Sequence, residues 1–372
     1  MLAVRISKVV LAGISLVACL ALVGCPSEDV VAVDEIEDIA LADIEEEGLT
    51  FSYDGDPGTP LEVGDIVTGT EGGGYLRRLM AVDQDGNTVV AETEQVSLAE
   101  ALEVGVLDAD VTFTAKDFAD SGVPLIATGT TIIDLSNTVI FDQDGVTLTI
   151  TRGTLDFAPT IELDATWADH RLTALTAVTT GEMTLNLDMK LAAADEAVLA
   201  YEIDVFPPIT KPFLFYIGPV PVMGTASLEF PFGVIGTVNG SASVESGFDA
   251  TGTITIGGEY ADNEWTDLSD VNGFAPNPHP VVWTFAAGAG VDVFVKPKAG
   301  LNLYGVSDLT AAAIPYISAN ARLLPPPQNF VLTAGLDGII TYELGIFDFN
   351  LVDETWFFPG PQWVLFSWTA GE

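Results

Sequence analysis

Hydrophobic and polar residues alternate along much of the chain. Val146-Thr147-Leu148-Thr149-Ile150 and Met183-Thr184-Leu185-Asn186-Leu187-Asp188-Met189 do so strictly, and Thr160-Ile161-Glu162-Leu163-Asp164-Ala165-Thr166-Trp167 continues the theme. A period of two sends one set of side chains into a core and the other into water, as an antiparallel sheet requires. The pattern is clearest over 111–205, and Gly, Asp and Asn between the runs predict a meander of hairpins. Residues 74–82 and 87–93 read as two more strands joined by a tight turn. Ser97-Leu98-Ala99-Glu100 has the spacing of a capping box and predicts one or two helical turns ending by Gly105.

Farther along, Pro207-Pro208 and Pro212 interrupt the alternation, which predicts an edge strand, a crossover or a domain boundary there. Beyond them the strands grow richer in Gly and aromatics. Asn239-Gly240 and Asp337-Gly338 have the composition of two-residue hairpin turns, and 324–328 is a stiff proline-rich connection. The predicted fold is all-β: a large antiparallel meander forming a curved sheet or a two-sheet sandwich, with one or two short helical turns. Two regions follow, 49–206 and the Gly/aromatic-rich 207–372, either two domains or one continuous unit. Leu191 to Ala200 fits a helix as well as a strand.

Composition narrows the function classes. A formal charge of −42 excludes a nucleic-acid binder, because phosphate affinity needs clustered Lys and Arg. Hydrophobic residues at 48%, with 20 Phe, 8 Tyr and 6 Trp, exclude a mainly disordered chain. From Glu28 to Glu47 ten of twenty residues are acidic and none is basic, so 25–48 is expected to be a flexible acidic tether extended by self-repulsion.

The N-terminus carries the strongest motif. Arg5 and Lys8 precede an uncharged apolar run of 14 residues, 9–22, too short to span a bilayer comfortably. The run ends in Leu22-Val23-Gly24-Cys25, which resembles the lipobox of bacterial lipoproteins. That resemblance implies a signal peptide over 1–24, removed on export, and a diacylglycerol on the Cys25 thiol that anchors the protein in the membrane. Pro26 stands where an Asp would retain such a protein at the inner membrane, so the expected location is the outer membrane or cell surface. Cys19 leaves with the signal, and a mature chain with one cysteine forms no internal disulfide. Gly74-Tyr75-Leu76-Arg77-Arg78 leading to Thr93-Glu94-Gln95, and Gly218-Pro219-Val220-Pro221-Val222, are similar to segments of uncharacterised secreted bacterial β proteins. That likeness carries no activity.

Candidate chemistry is sparse. Asp83, Asp85, Asn87 and Glu94 fall at positions 1, 3, 5 and 12 of an EF-hand-like spacing, the oxygen set that holds calcium. Thr88 occupies the sixth position, where the sharp turn calls for glycine. The same Asp-Gln-Asp-Gly recurs at 142–145 before a plain strand, which favours hairpin turns over a calcium loop. His170, in a charged cluster, and His279, between Pro278 and Pro280, are the two histidines. Neither sits in a zinc or triad motif, and no nucleophile elbow or phosphate loop occurs. The aromatics Trp356, Phe357, Phe358, Trp363, Phe366 and Trp368 suit a core more than a sugar- or lipid-binding platform. The expected function is therefore a lipid-anchored surface protein with a non-enzymatic structural or binding role, its candidate partners being the membrane, calcium, lipid or a cell-surface polymer. Two alternatives remain: a carrier holding an amphiphile in an apolar cavity lined by strands such as 183–189 and 281–295, and a hydrolase of extracellular polymer built on two close carboxylates in a cleft.

Overall fold

The computed structural model of the protein describes residues 24–26, 30–36, 39–45, 47–53, 61–285, 288–305, 307–322, 328–343, 345–347 and 354–370. The apolar run 9–22, the turn signal at 54–58 and most of the proline-rich connection, 324–327, lie outside them. The fold is all-β, 73% strand and 5% helix, arranged in three sheets.

The first large sheet is built on one long hairpin. Val146–Phe157 and Thr160–Ala168 run end to end, turn at Asp169-His170, and pair with the 23-residue strand Arg171–Ala193. Asp169 and His170 have φ of 51° and 58°, the two left-handed positions of a type I′ turn whose twist matches the flanking strands. Ala242–Ala261 pairs along Arg171–Ala193, and four short segments between 264 and 285 form its outer edge. On the other side Leu102–Thr112 pairs with Thr160–Ala168, and Thr138–Gln143 with Val146–Phe157.

The second sheet is a meander of six runs: 197–217, 220–238, 289–303, 307–322, 329–343 and 354–369. The register carries through breaks that fall on one transverse line. Asp204 lies opposite Pro231, the Lys296 amide donates to the Pro231 carbonyl, and Ile314, beside Pro315, lies opposite Asp337. Pro207, Pro208, Pro297, Pro359 and Pro361 stand at the same level. Proline has no amide hydrogen to give the ladder. What reads in sequence as a boundary at Pro207-Pro208 is thus one position on a line of prolines crossing the whole sheet.

The inner faces of the two sheets share one core. The chain crosses between them three times, from Ala193 to Ala197, Val238 to Ala242 and Phe285 to Ala289. The residues on either side of 206/207 belong to the same sheet. One lateral edge is closed by Phe141 against Tyr201, ring centroids 4.3 Å apart. The other is closed by an aromatic seam: Trp265 stacks on Tyr342 at 4.5 Å, Phe274 meets Trp363 at 5.9 Å, and Trp283 meets Trp368 at 5.4 Å. The C-terminal aromatics therefore serve the core, apart from Phe357, which is exposed.

The third sheet is small and has its own core, including Val33, Phe51, Leu79 and Val89. Its order is Val30–Ala32, Ile66–Gly69, Tyr75–Asp85, Thr88–Gln95, Gly48–Tyr53, Ile39–Glu45. Two of these strands come from the segment expected to be a tether. Ile39–Glu45 pairs with Gly48–Tyr53, and Val30–Ala32 pairs in parallel with Ile66–Gly69, so backbone pairing and burial of Val33 and Ile39 outweigh repulsion among exposed acids. The sheet joins the sandwich through Ile66, Leu76 and Val96 and through the short helix Leu98–Ala101. That helix has the expected capping box, the Glu100 amide donating to Ser97 Oγ at 3.2 Å and the Ser97 amide to Glu100 Oε2 at 3.1 Å. Its first amides, on Leu98 and Ala99, donate to the carbonyls of Ile346 and Phe347.

Two hairpin assignments are corrected. Asn239-Gly240 is a crossover between the large sheets, and Asp337-Gly338 lies within the strand Asn329–Glu343. In both, the partners on either side are long-range strands, which local turn propensity does not register.

Candidate functional site

The four residues with calcium-ligand spacing are strung along a hairpin rather than gathered around a point. Asp83 and Asp85 lie on Tyr75–Asp85, Gly86-Asn87 form the turn, and Glu94 lies on the returning strand, all of them exposed. Glu94 lies six positions beyond Thr88, about 20 Å at the usual strand rise. The Glu94 carboxylate instead accepts from Arg78 Nη1 at 3.1 Å, and Asn87 Nδ2 donates to the Tyr53 carbonyl at 3.2 Å. An EF-hand ring needs a loop that doubles back on itself, and here the glycine with positive φ, Gly86, makes a tight two-residue turn. These four positions therefore do not form an EF-hand ring. The matching tetrapeptide at 142–145 turns one residue earlier, with Asp144 and Gly145 both at positive φ.

Cys25 lies in the strand Gly24–Pro26, whose backbone pairs with the outer edge of Leu102–Thr112, Cys25 opposite Val104. Residues 1–23 lie outside the described residues. No helix among the described residues is long and apolar enough to cross a membrane.

Two interior cavities between the sheets bear on the carrier alternative. One, of about 30 Å³, is lined by Met189, Leu191, Val244 and Ser246 from the first sheet and Val291, Val293 and Ile317 from the second. The other, about 20 Å³, lies among Ile161, Ala177, Ala299, Leu301 and Ala311. The first is where the carrier reading puts its cavity, but each has room for about one water, far short of the hundreds of cubic ångströms that an amphiphile occupies.

For the hydrolase alternative, Asp108, Asp110, Glu162 and Asp164 face one another on adjacent strands, with Asp164 opposite Asp108 and Glu162 opposite Asp110. Burial, then the charges of Asp108 and Asp110, raise the Asp164 pKa. All four side chains stand exposed on the outer face of the sheet.

The most organised polar cluster among the described residues is one that sequence reading passed over. On the outer face of the first sheet, four neighbouring strands bring Arg152, Asp188, Gly247 and His279 into one transverse row. Arg152 lies opposite Asp188, Asp188 opposite Gly247, and the His279 amide donates to the Gly247 carbonyl at 2.9 Å. His279 Nδ1 is 2.5 Å from Asp188 Oδ1, and its Nε2 is 3.0 Å from Asp249 Oδ2. Arg152 Nε donates to Asp188 Oδ2 at 2.9 Å, and Asn186 Nδ2 donates to the other oxygen of Asp249. Gly247 is required by the close approach: a Cβ there would strike the Leu187 carbonyl and the Asp188 carboxylate.

The His279 side chain is 12% exposed. Its burial disfavours the charged ring, but hydrogen bonds to Asp249 and Asp188, together with their charges, outweigh it and raise the pKa above the ordinary 6.5. With both nitrogens on carboxylates, the imidazole has none left to take a proton from a serine, so this is not a triad base. Its partners are 91 and 30 positions away in sequence, a juxtaposition that only the sheet register produces. His170, by contrast, is the turn residue its charged surroundings suggested.

The chain matches no protein-family model, and neither a curated protein nor a solved structure matches it. What fold and cluster define is an acidic, two-sheet β-sandwich with an appended small sheet.

Proposed function

We propose that the protein is a lipid-anchored component of the bacterial cell envelope, displayed at the outer membrane or cell surface, with a non-enzymatic structural or binding role. The observation that carries this reading is Leu22-Val23-Gly24-Cys25 placed directly after a basic start and an apolar run. Two or three acyl chains on one cysteine satisfy the requirement for stable membrane attachment. Three features of the fold support the non-enzymatic part. The core is filled, the acidic groups on the first sheet lie on an open face, and the histidine best placed for chemistry is bonded at both nitrogens. Loss of Arg5 and Lys8 with the signal makes the surface more negative still, which repels nucleic acid and anionic lipid headgroups. A neutral cell-surface polymer or an envelope protein is the partner this surface suits.

The reading is tested by expressing Cys25→Ser beside the natural chain. The variant is expected to leave the membrane fraction and to lose accessibility to a cell-impermeant label. A variant that remains membrane-bound and labelled at the natural level would contradict the anchor.

A further inference from the structure

The segment 277–285 is the outermost layer of the first sheet at the edge where the sandwich closes. Its strand part, Val282–Phe285, pairs with Ala242–Glu245 and carries Trp283 and Phe285 into the aromatic seam, where Trp283 meets Phe330 at 5.1 Å and Trp368 at 5.4 Å. Its other end, Asn277-Pro278, pairs with Phe248-Asp249 through a two-residue bridge. Proline at 278 and 280 removes two amide donors there, so the ladder is thin and side chains must supplement it. His279 supplies that supplement, reaching over two strands to Asp188 and Asp249.

We infer that Asp188–His279–Asp249 is a proton-operated clasp that fixes 277–285 to the sheet and so controls the closure of the aromatic seam. Protonated, the ring donates from both nitrogens, one to each carboxylate. Neutral, it has one N–H, and the other nitrogen presents a lone pair to a carboxylate oxygen within 3.0 Å, which is repulsive. Loss of a single proton thus converts one of two charge-assisted bonds into a repulsion. Arg152 sits behind Asp188, its Nε on Asp188 Oδ2, while Lys190 and Glu245 stand opposite each other in the next row and offset one another. His279 carries a raised pKa in the folded chain, so the clasp is fully closed below about pH 6.5, the unfolded value, and its contribution is lost as pH rises through the folded value. The clasp concerns the folded sandwich and stands whether or not Cys25 is acylated.

The test uses the full mature chain, with two histidines to resolve by carbon-edited NMR and hydrogen exchange read by mass spectrometry. Three results are expected. The ring titrates with a midpoint above 6.5. Protection of the Val282–Phe285 amides, corrected for intrinsic base catalysis, falls ten- to a hundredfold across that midpoint, the scale of one charge-assisted hydrogen bond. Amides of Arg171–Ala193 stay level. Asp249→Asn should lower the midpoint and His279→Gln should abolish the pH step, while His170→Gln changes neither. A midpoint at or below 6.5, or protection of 282–285 that does not change with pH in the natural chain, would overturn the inference even if a variant failed to fold.

Discussion

Among the glycines that lie directly across the ladder from aromatic residues are Gly69, opposite Tyr75, Gly224, opposite Phe213, Gly233, opposite Phe294, and Gly335, opposite Tyr316. In each pair the ring occupies the place a glycine Cβ would take. This is the physical sense of the Gly- and aromatic-rich composition of the second half, where a bare backbone provides the floor for a flat ring. Gly335→Val would force the Tyr316 ring off that floor and break the bond from Gln362 Nε2 to its hydroxyl, 2.6 Å long. A loss of about 1–3 kcal/mol is expected, as for other overpacking substitutions. Urea denaturation would measure it, and an unchanged midpoint would show that the ring moves aside without cost. At this scale the sequence was legible where chemistry is local, as in the Ser97–Glu100 cap and the His170 turn. It was silent at His279, because nothing near a histidine in sequence reports carboxylates that arrive from strands 30 and 91 positions away.

Among the elements, strict alternation located strands well. Val146–Phe157 and Arg171–Ala193 were readable because one face is buried along their whole length. Elements whose signal depends on long-range partners were misread, as with Asp337-Gly338, where local turn chemistry sits inside a strand. The acidic segment misled for a related reason. Ile36, Ile39, Ala40 and Ile44 have helical spacing, yet Ile39–Glu45 is a strand in which a bulge between Leu41 and Asp43 shifts the period of two by one. The helix Ala115–Ser121 went unread although Thr114 and Asp117 form its capping box, the Thr114 amide donating to Asp117 Oδ2 at 2.8 Å. Burial alone would raise the Asp117 pKa; the bonds from Thr114 and Lys211 overcome this and hold it below the ordinary 3.8. The stabilisation is therefore present above that value and lost as pH falls through the lowered one. Asp117→Asn is expected to cost about 1–2 kcal/mol at neutral pH, the usual worth of a cap, with the difference vanishing in strong acid. Thermal melts at both pH values decide it, and an equal deficit at both would assign the loss to packing.

The whole molecule is organised around two sheets that repeat one plan. In each, a long strand is paired on one side with two shorter runs placed end to end and on the other with a second long strand, as Arg171–Ala193 and Ser307–Arg322 show. No sequence repeat betrays this, because the pairing plan is kept by register while the side chains differ. Since the chain crosses between the sheets three times and fills one core, the sandwich should unfold as a unit. Tryptophan fluorescence, from Trp167 in the first sheet and the seam residues, and far-ultraviolet dichroism should give coincident urea transitions. Two separated steps would restore a division near Pro207.

Where this sandwich resides is tested most directly by the intact mass of the protein extracted from bacterial membranes. A chain that begins at Cys25 and carries a diacylglyceryl thioether on that residue, identified by fragmentation of the N-terminal peptide, is the predicted result. A chain cleaved at another position, or one that begins at Cys25 with an unmodified thiol, would contradict it.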